Sequence, residues 1–255
     1  PVWHRTIAEV SNDLRSTIRG RSQRRRVLLQ RITRHTLALL CLEPEARTVA
    51  GFGSLVLGPL LRELLGLGAT GGEADADRAW RLLRAWTATG RYTSSLDKPV
   101  RERLRPAVAQ ALARDATDPF ARFWQAELTP VDSGGAELER RLKRLLETDA
   151  LSELHKSVVR VKLVELVLAR DRRGLRSETA PMPQSRVDEL LGLLNPCARM
   201  GHPEPDRLAS LQGLVLTRGP RSKESRKRSL EFFDLALKRL RERESPTERQ
   251  ELERA

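Results

Sequence analysis

The sequence predicts an all-α protein, with an N-terminal helical bundle followed by an α-solenoid of helix pairs. Leu, Ala, Arg and Glu dominate, and these are helix formers, whereas aromatics are 4% of the chain and β-branched runs are scarce. Apolar residues recur at steps of three and four in each segment long enough to test, and none shows the sustained alternation of a strand. The hydrophobic fraction is 39% against 32% charged, a balance that suits elongated arrays whose elements each show one face to water. A chain of 255 residues buries roughly 70–75% of its unfolded surface, so a core forms without staples.

The bundle is expected over residues 1–70. Ile7, Val10, Leu14 and Ile18 share one helical face, flanked by Arg15 and Arg19, and Gly20 ends that helix. A second helix starts near Ser22, turns Val27, Leu28, Ile32 and Leu39 inward and stops before Pro44. Two apolar helices follow, from Glu45 to Leu57 and from Pro59 to Leu67, the latter opened by proline at its first position. Gly66, Gly68, Gly71 and Gly72 then interrupt the pattern, and the boundary is expected between Gly66 and Asp77. Gly66, Gly68 and Gly71 spell G-x-G-x-x-G, but a dinucleotide fingerprint needs a preceding strand, and this one follows a helical Leu-rich run.

Helix pairs are expected over residues 77–255. Trp80, Leu83 and Trp86 mark one helix, Gly90 and Tyr92 a turn, and Val100, Leu104, Val108 and Leu112 its partner. A second pair opens at Asp118-Pro119, a cap and a first-turn proline, and runs through Phe120, Phe123, Trp124 and Leu128, a loop at Val131 to Gly135, then Leu138, Leu142 and Leu145. The third starts near Asp149, is apolar on more than one face through Leu154, Val158, Val161 and Leu166, and takes Val187 to Leu194 as its partner. Leu208 to Thr217 pairs with Arg226 to Leu240.

In that last pair Gly213 precedes Leu216 on the first helix, and Ser229, Phe233 and Ala236 follow at steps of four and three on the second; Asp149 follows Asp118 by 31 residues. On these residues the stretch from about 77 to 244 resembles tetratricopeptide-type repeats in degenerate form, with four extra residues between the helices of the last pair and no complete Trp-Leu-Gly-Tyr signature. The resemblance implies a curved, non-enzymatic scaffold whose concave groove grips peptide segments or partner helices.

Charge gives the strongest functional signal. The chain carries a formal +13, and 40 of its 47 basic residues are arginine. Nine of these arginines precede Leu42 with only Glu9 and Asp13 as acids, a local +7. A second run holds Arg218, Arg221, Lys223, Arg226, Lys227 and Arg228 against Glu224 alone. Clustered like charges repel until an anion relieves them, so an anionic partner is expected. No aromatic interrupts either run to stack a base, and no nucleic-acid-binding motif is present, which favours an acidic protein surface.

Catalytic chemistry finds no support in the residue pattern. His4, His35, His155 and His202 have no zinc-site spacing, and Cys41 and Cys197 make no disulfide framework, so a reducing compartment and a cytoplasmic location are expected. Cys197 and His202 are expected in a proline-rich loop from Asn195 to Asp206 with no third group to orient them. The longest apolar stretch, Thr48 to Leu61, is too short to span a bilayer. The expected function is therefore that of a non-enzymatic adaptor, scaffold or sensor within a larger assembly, without metal, cofactor or membrane. It would bind an acidic protein through Arg24, Arg25, Arg26, Arg31 and Arg34 and through a repeat surface around Trp80, Trp86 and Trp124. At their helical spacing the tryptophans suit a core better than an open platform. The alternative is a nucleic-acid-binding helical subunit of a ribonucleoprotein or DNA-processing complex.

Overall fold

A computed structural model describes residues 27, 31–34, 36, 57–71, 73–92, 96, 98–174, 181–200 and 202–244. The fold is all-α, and the described residues contain no strand. The chain divides into two compact units, Pro1–Leu128 and Thr129–Ala255.

In the first unit α1 (Gly58–Gly71), α2 (Glu73–Ala88), α3 (Lys98–Arg114) and α4 (Pro119–Leu128) each pack on the next, and α1 also meets α3 while α2 meets α4. The pattern follows from apolar spacing. Leu60, Leu61, Leu64 and Leu65 on α1, Trp80, Leu83 and Trp86 on α2, and Val100, Leu104 and Val108 on α3 are all buried. Gly90 stops the chain after α2 with φ of 80°, a left-handed conformation that only glycine takes without cost, and its N–H donates to the Thr87 carbonyl at 2.9 Å. Asp118 caps α4 by accepting from the Phe120 N–H at 2.9 Å, and its other oxygen meets Arg84 Nε of α2 at 2.7 Å. One carboxylate thus starts a helix and ties it to another.

In the second unit α5 (Val131–Glu147), α6 (Glu153–Gly174), α7 (Gln184–Arg199), α8 (Pro205–Arg218) and α9 (Lys223–Glu244) again pack on their neighbours in order, with α6 also reaching α8. Packing on the next helix and the next but one is how stacked helical hairpins bury a continuous core, and the helix pairs are compatible with a helical-repeat solenoid. The core gathers Val161, Val164 and Val167 of α6, Val187, Leu190 and Leu194 of α7, and Leu208, Val215 and Leu216 of α8. Because α6 is gripped from two sides, it buries residues around most of its circumference, as its sequence predicted.

Several expectations need adjustment. The helix expected to end at Leu67 runs on to Gly71, taking in the glycines at 66, 68 and 71, and its leucines are buried where it packs on α2. The hairpin expected from Asp118 to Leu145 is shared between the units, with α4 packed on α3 and α5 on α6. Val131 already begins α5, and the expected loop shrinks to a break at Gly135, where φ is 50°. Helix α7 runs through Pro196 to Arg199, so Cys197 is helical and not in a loop. Val27, expected to point inward, is exposed, whereas Ile32 is buried.

Candidate functional site

The last hairpin gathers the second basic run around the turn between α8 and α9. Helix α8 ends at Gly219, whose N–H donates to the Leu216 carbonyl at 3.2 Å, and Ser222 then opens α9 by accepting the Ser225 N–H on its Oγ at 2.9 Å. The intervening turn and the first two turns of α9 carry Arg221, Lys223, Arg226, Lys227 and Arg228 exposed, with Arg218 half-buried beside them. None of these six cations makes an ion pair among the described residues. Those in the first turns of α9 also face the positive end of the helix dipole, so the helix does not neutralise them.

What holds α9 in place is a polar and steric seam on its inner face. Ser229 Oγ and Thr217 Oγ1 lie 3.0 and 2.8 Å from the Gly213 carbonyl and 2.7 Å from each other, so that one hydroxyl donates to the carbonyl and accepts from the other. A Cβ on Gly213 would come within 2.9 Å of the Phe233 ring, so the close approach of the two helices depends on glycine. Ala236 is buried one turn on, and Arg239 donates to the Pro205 carbonyl at 3.0 Å. The four residues that carry the sequence resemblance, Gly213, Ser229, Phe233 and Ala236, therefore lie along one helix-helix contact.

Beside that seam, about a quarter-turn round the helix, α9 carries exposed apolar side chains. Leu230 is 64%, Leu237 51% and Leu240 41% exposed, and with the half-buried Phe233 they follow a three-four-three spacing. Sequence reasoning missed this stripe, because it named only Ser229, Phe233 and Ala236 as contact positions on the helix and gave Leu230 and Leu237 no face. The available signal was the surplus: Ser229 and Ala236 already fill the inner face, leaving Leu230 and Leu237 about 100° away around the helix.

Arg31 and Arg34 of the N-terminal cluster are exposed, and Arg24, Arg25 and Arg26 lie outside the described residues. The three tryptophans are brought into the first unit's interior. Trp124 Nε1 donates to Thr87 Oγ1 at 2.7 Å, and its ring stacks on Tyr92 with centroids 5.9 Å apart. Trp80 and Trp86 are likewise buried. Their rings contribute to packing and not to an open platform.

Cys197 is buried on α7, with its Sγ 3.3 Å from the Leu193 carbonyl, and burial raises its thiol pKa, which makes it a poorer nucleophile. His202 Nδ1 lies 3.0 Å from the Glu204 N–H, which it can accept, and 3.2 Å from the Glu204 carbonyl, and burial lowers the ring's pKa. Beside it Arg207 bridges Glu165, at 2.7 Å through both Nε and Nη2, to Glu204 at 2.6 Å; burial opposes its charge, but the two carboxylates outweigh this and raise its pKa. The network ties α8 to α6 and is satisfied internally. Among the described residues no three His, Cys, Asp or Glu side chains gather as metal ligands would, and no helix is long and apolar enough to cross a membrane. Comparison with protein-family models, with curated proteins and with solved structures finds no match.

Proposed function

We propose that this chain is a non-enzymatic adaptor or scaffold of the cytoplasm that binds an acidic protein partner through the basic surfaces of a helical-repeat framework, with the α8–α9 hairpin of the tetratricopeptide type. The observation that carries the reading is the group of six cations around the start of α9, which have no ion-pair partner among the described residues. Five arginines elsewhere are placed differently: Arg84, Arg101, Arg114, Arg170 and Arg207 each meet a carboxylate of their own unit. Charge left unpaired in one place while it is paired in others favours recognition over mere solvation. Arg31 and Arg34 extend the same chemistry to the N-terminal region.

A nucleic acid would satisfy the same charge, and the reading is tested against it. The full chain is purified with and without a high-salt wash, and its absorbance ratio at 260 and 280 nm is compared. A protein-like ratio in both preparations is expected. Nucleic acid retained at low salt and shed at high salt, as counterion release demands, would replace this reading with the nucleic-acid-binding one.

A further inference from the structure

We infer that the outer flank of α9 is a docking seam for an acidic amphipathic helix of a partner protein. This inference rests on the binding-protein reading above and names the surface and the class of partner. Leu230, Leu237 and Leu240 are exposed on α9, and with Phe233, whose ring packs toward Gly213, they keep the three-four-three spacing with which one helix presents knobs to another. Among the described residues, three of the five large hydrophobic side chains that stand out of the surface are on this one helix face. A helix that already packs on α8 with its inner side has no structural use for them there.

The charges beside the stripe select the occupant. Lys223, Arg226, Lys227, Lys238 and Arg241 are exposed on the same helix with Glu224, Glu231 and Asp234 as the described acids among them, an excess of cations, and none of these eight makes an ion pair among the described residues. An incoming helix with leucines on one face and Glu or Asp at its edges would pair both features. A second copy of α9 would not. Laid parallel it sets the basic first turns against themselves, and laid antiparallel it sets them against an end with Lys238, Arg239, Arg241 and Arg243 in excess over Glu242 and Glu244. Residues 245–255 carry Leu252 as their only large apolar side chain and cannot supply the two-position seam. Nucleic acid has no use for the leucines, which offer it no stacking face.

The test uses the full chain and a synthetic acidic helix of ~21 residues, with Leu at the first and fourth heptad positions and Glu at the flanks, read by fluorescence anisotropy. A peptide of the same composition in scrambled order, and a single-stranded RNA oligonucleotide, serve as comparisons. The amphipathic peptide is expected to bind at least about tenfold tighter than the scrambled one, and the Leu230→Ser/Leu237→Ser double variant, whose side chains are exposed, is expected to lose that preference with its circular dichroism unchanged. If the two peptides bind equally and the double variant binds as the wild type does, the seam is refuted while the basic-surface reading survives. If only the RNA binds, both fall. If the wild type self-associates in sedimentation and the double variant does not, a second copy is the occupant and the inference is overturned.

Discussion

Gly213 is the position where one hydrogen atom decides how two helices meet. A side chain there must displace Phe233, and overpacking of this kind costs about 1–3 kcal/mol, more than the few tenths that helix propensity returns on replacing glycine by valine. Gly213→Val is therefore expected to lower the melting temperature, and Phe233→Ala in the same chain to recover part of the loss in a double-mutant cycle. Additive losses would show that the two residues do not share the contact. His202 makes a different residue-scale prediction. Its folded pKa lies below the ordinary 6.5 because burial disfavours the charged ring, so the unfolded chain takes up more protons as pH falls through that value. The histidine's contribution is thus intact above pH 6.5 and diminishes in acid. His202→Asn keeps an acceptor for the Glu204 N–H but cannot titrate, and thermal melts at about pH 7 and about pH 5.5 should show a smaller drop than wild type. An equal drop would assign the acid sensitivity to other groups.

At the scale of helices, the elements were legible in the sequence wherever a cap and a period coincided. Asp118-Pro119 starts α4, Gly90 ends the turn after α2, and the four-residue steps from Val100 to Val108 give α3 its buried face. Pairing was less legible, since apolar spacing shows that a helix has a buried face without saying which helix covers it. The leucines of α1 are as apolar as a bundle helix needs, yet they pack on the helix that sequence assigned to the repeats. Buried polar contacts were invisible for a related reason, as they join residues tens of positions apart. Thr87 and Trp124 illustrate this: the indole N–H donates to a threonine hydroxyl that itself donates to the Leu83 carbonyl at 2.7 Å. Thr87→Val would leave a buried N–H without its acceptor and is expected to cost about 1–3 kcal/mol in denaturant unfolding, with Thr87→Ser closer to wild type. Arg101 joins α3 to the buried Glu127 of α4 at 2.6 Å. Arg101→Met should destabilise the protein further than removal of the exposed Arg140, because it takes the cation from a buried carboxylate, whereas Arg140 belongs to a surface pair with Glu137. Equal effects of the two substitutions would contradict that distinction.

For the whole molecule, charge was the most legible property and its organisation the least. The sequence points to two basic runs, and the structure places the second around the start of α9, beside an apolar stripe to which sequence reasoning gave no face. The lysines make this arrangement measurable. Only seven exist in the chain, and Lys223, Lys227 and Lys238 are exposed on α9 without ion pairs among the described residues, whereas Lys143 meets Glu139 at 2.8 Å and Lys162 is buried. A carbodiimide joins an amine to a carboxylate only when the two already touch. Zero-length cross-linking of the full chain in its cellular complex, read by mass spectrometry, should therefore link Lys223, Lys227 and Lys238 to Asp and Glu of the partner, with yields that fall as salt is raised. Cross-links confined to Lys98 and Lys143, or α9 lysines that stay unlinked while a partner is bound, would contradict the account.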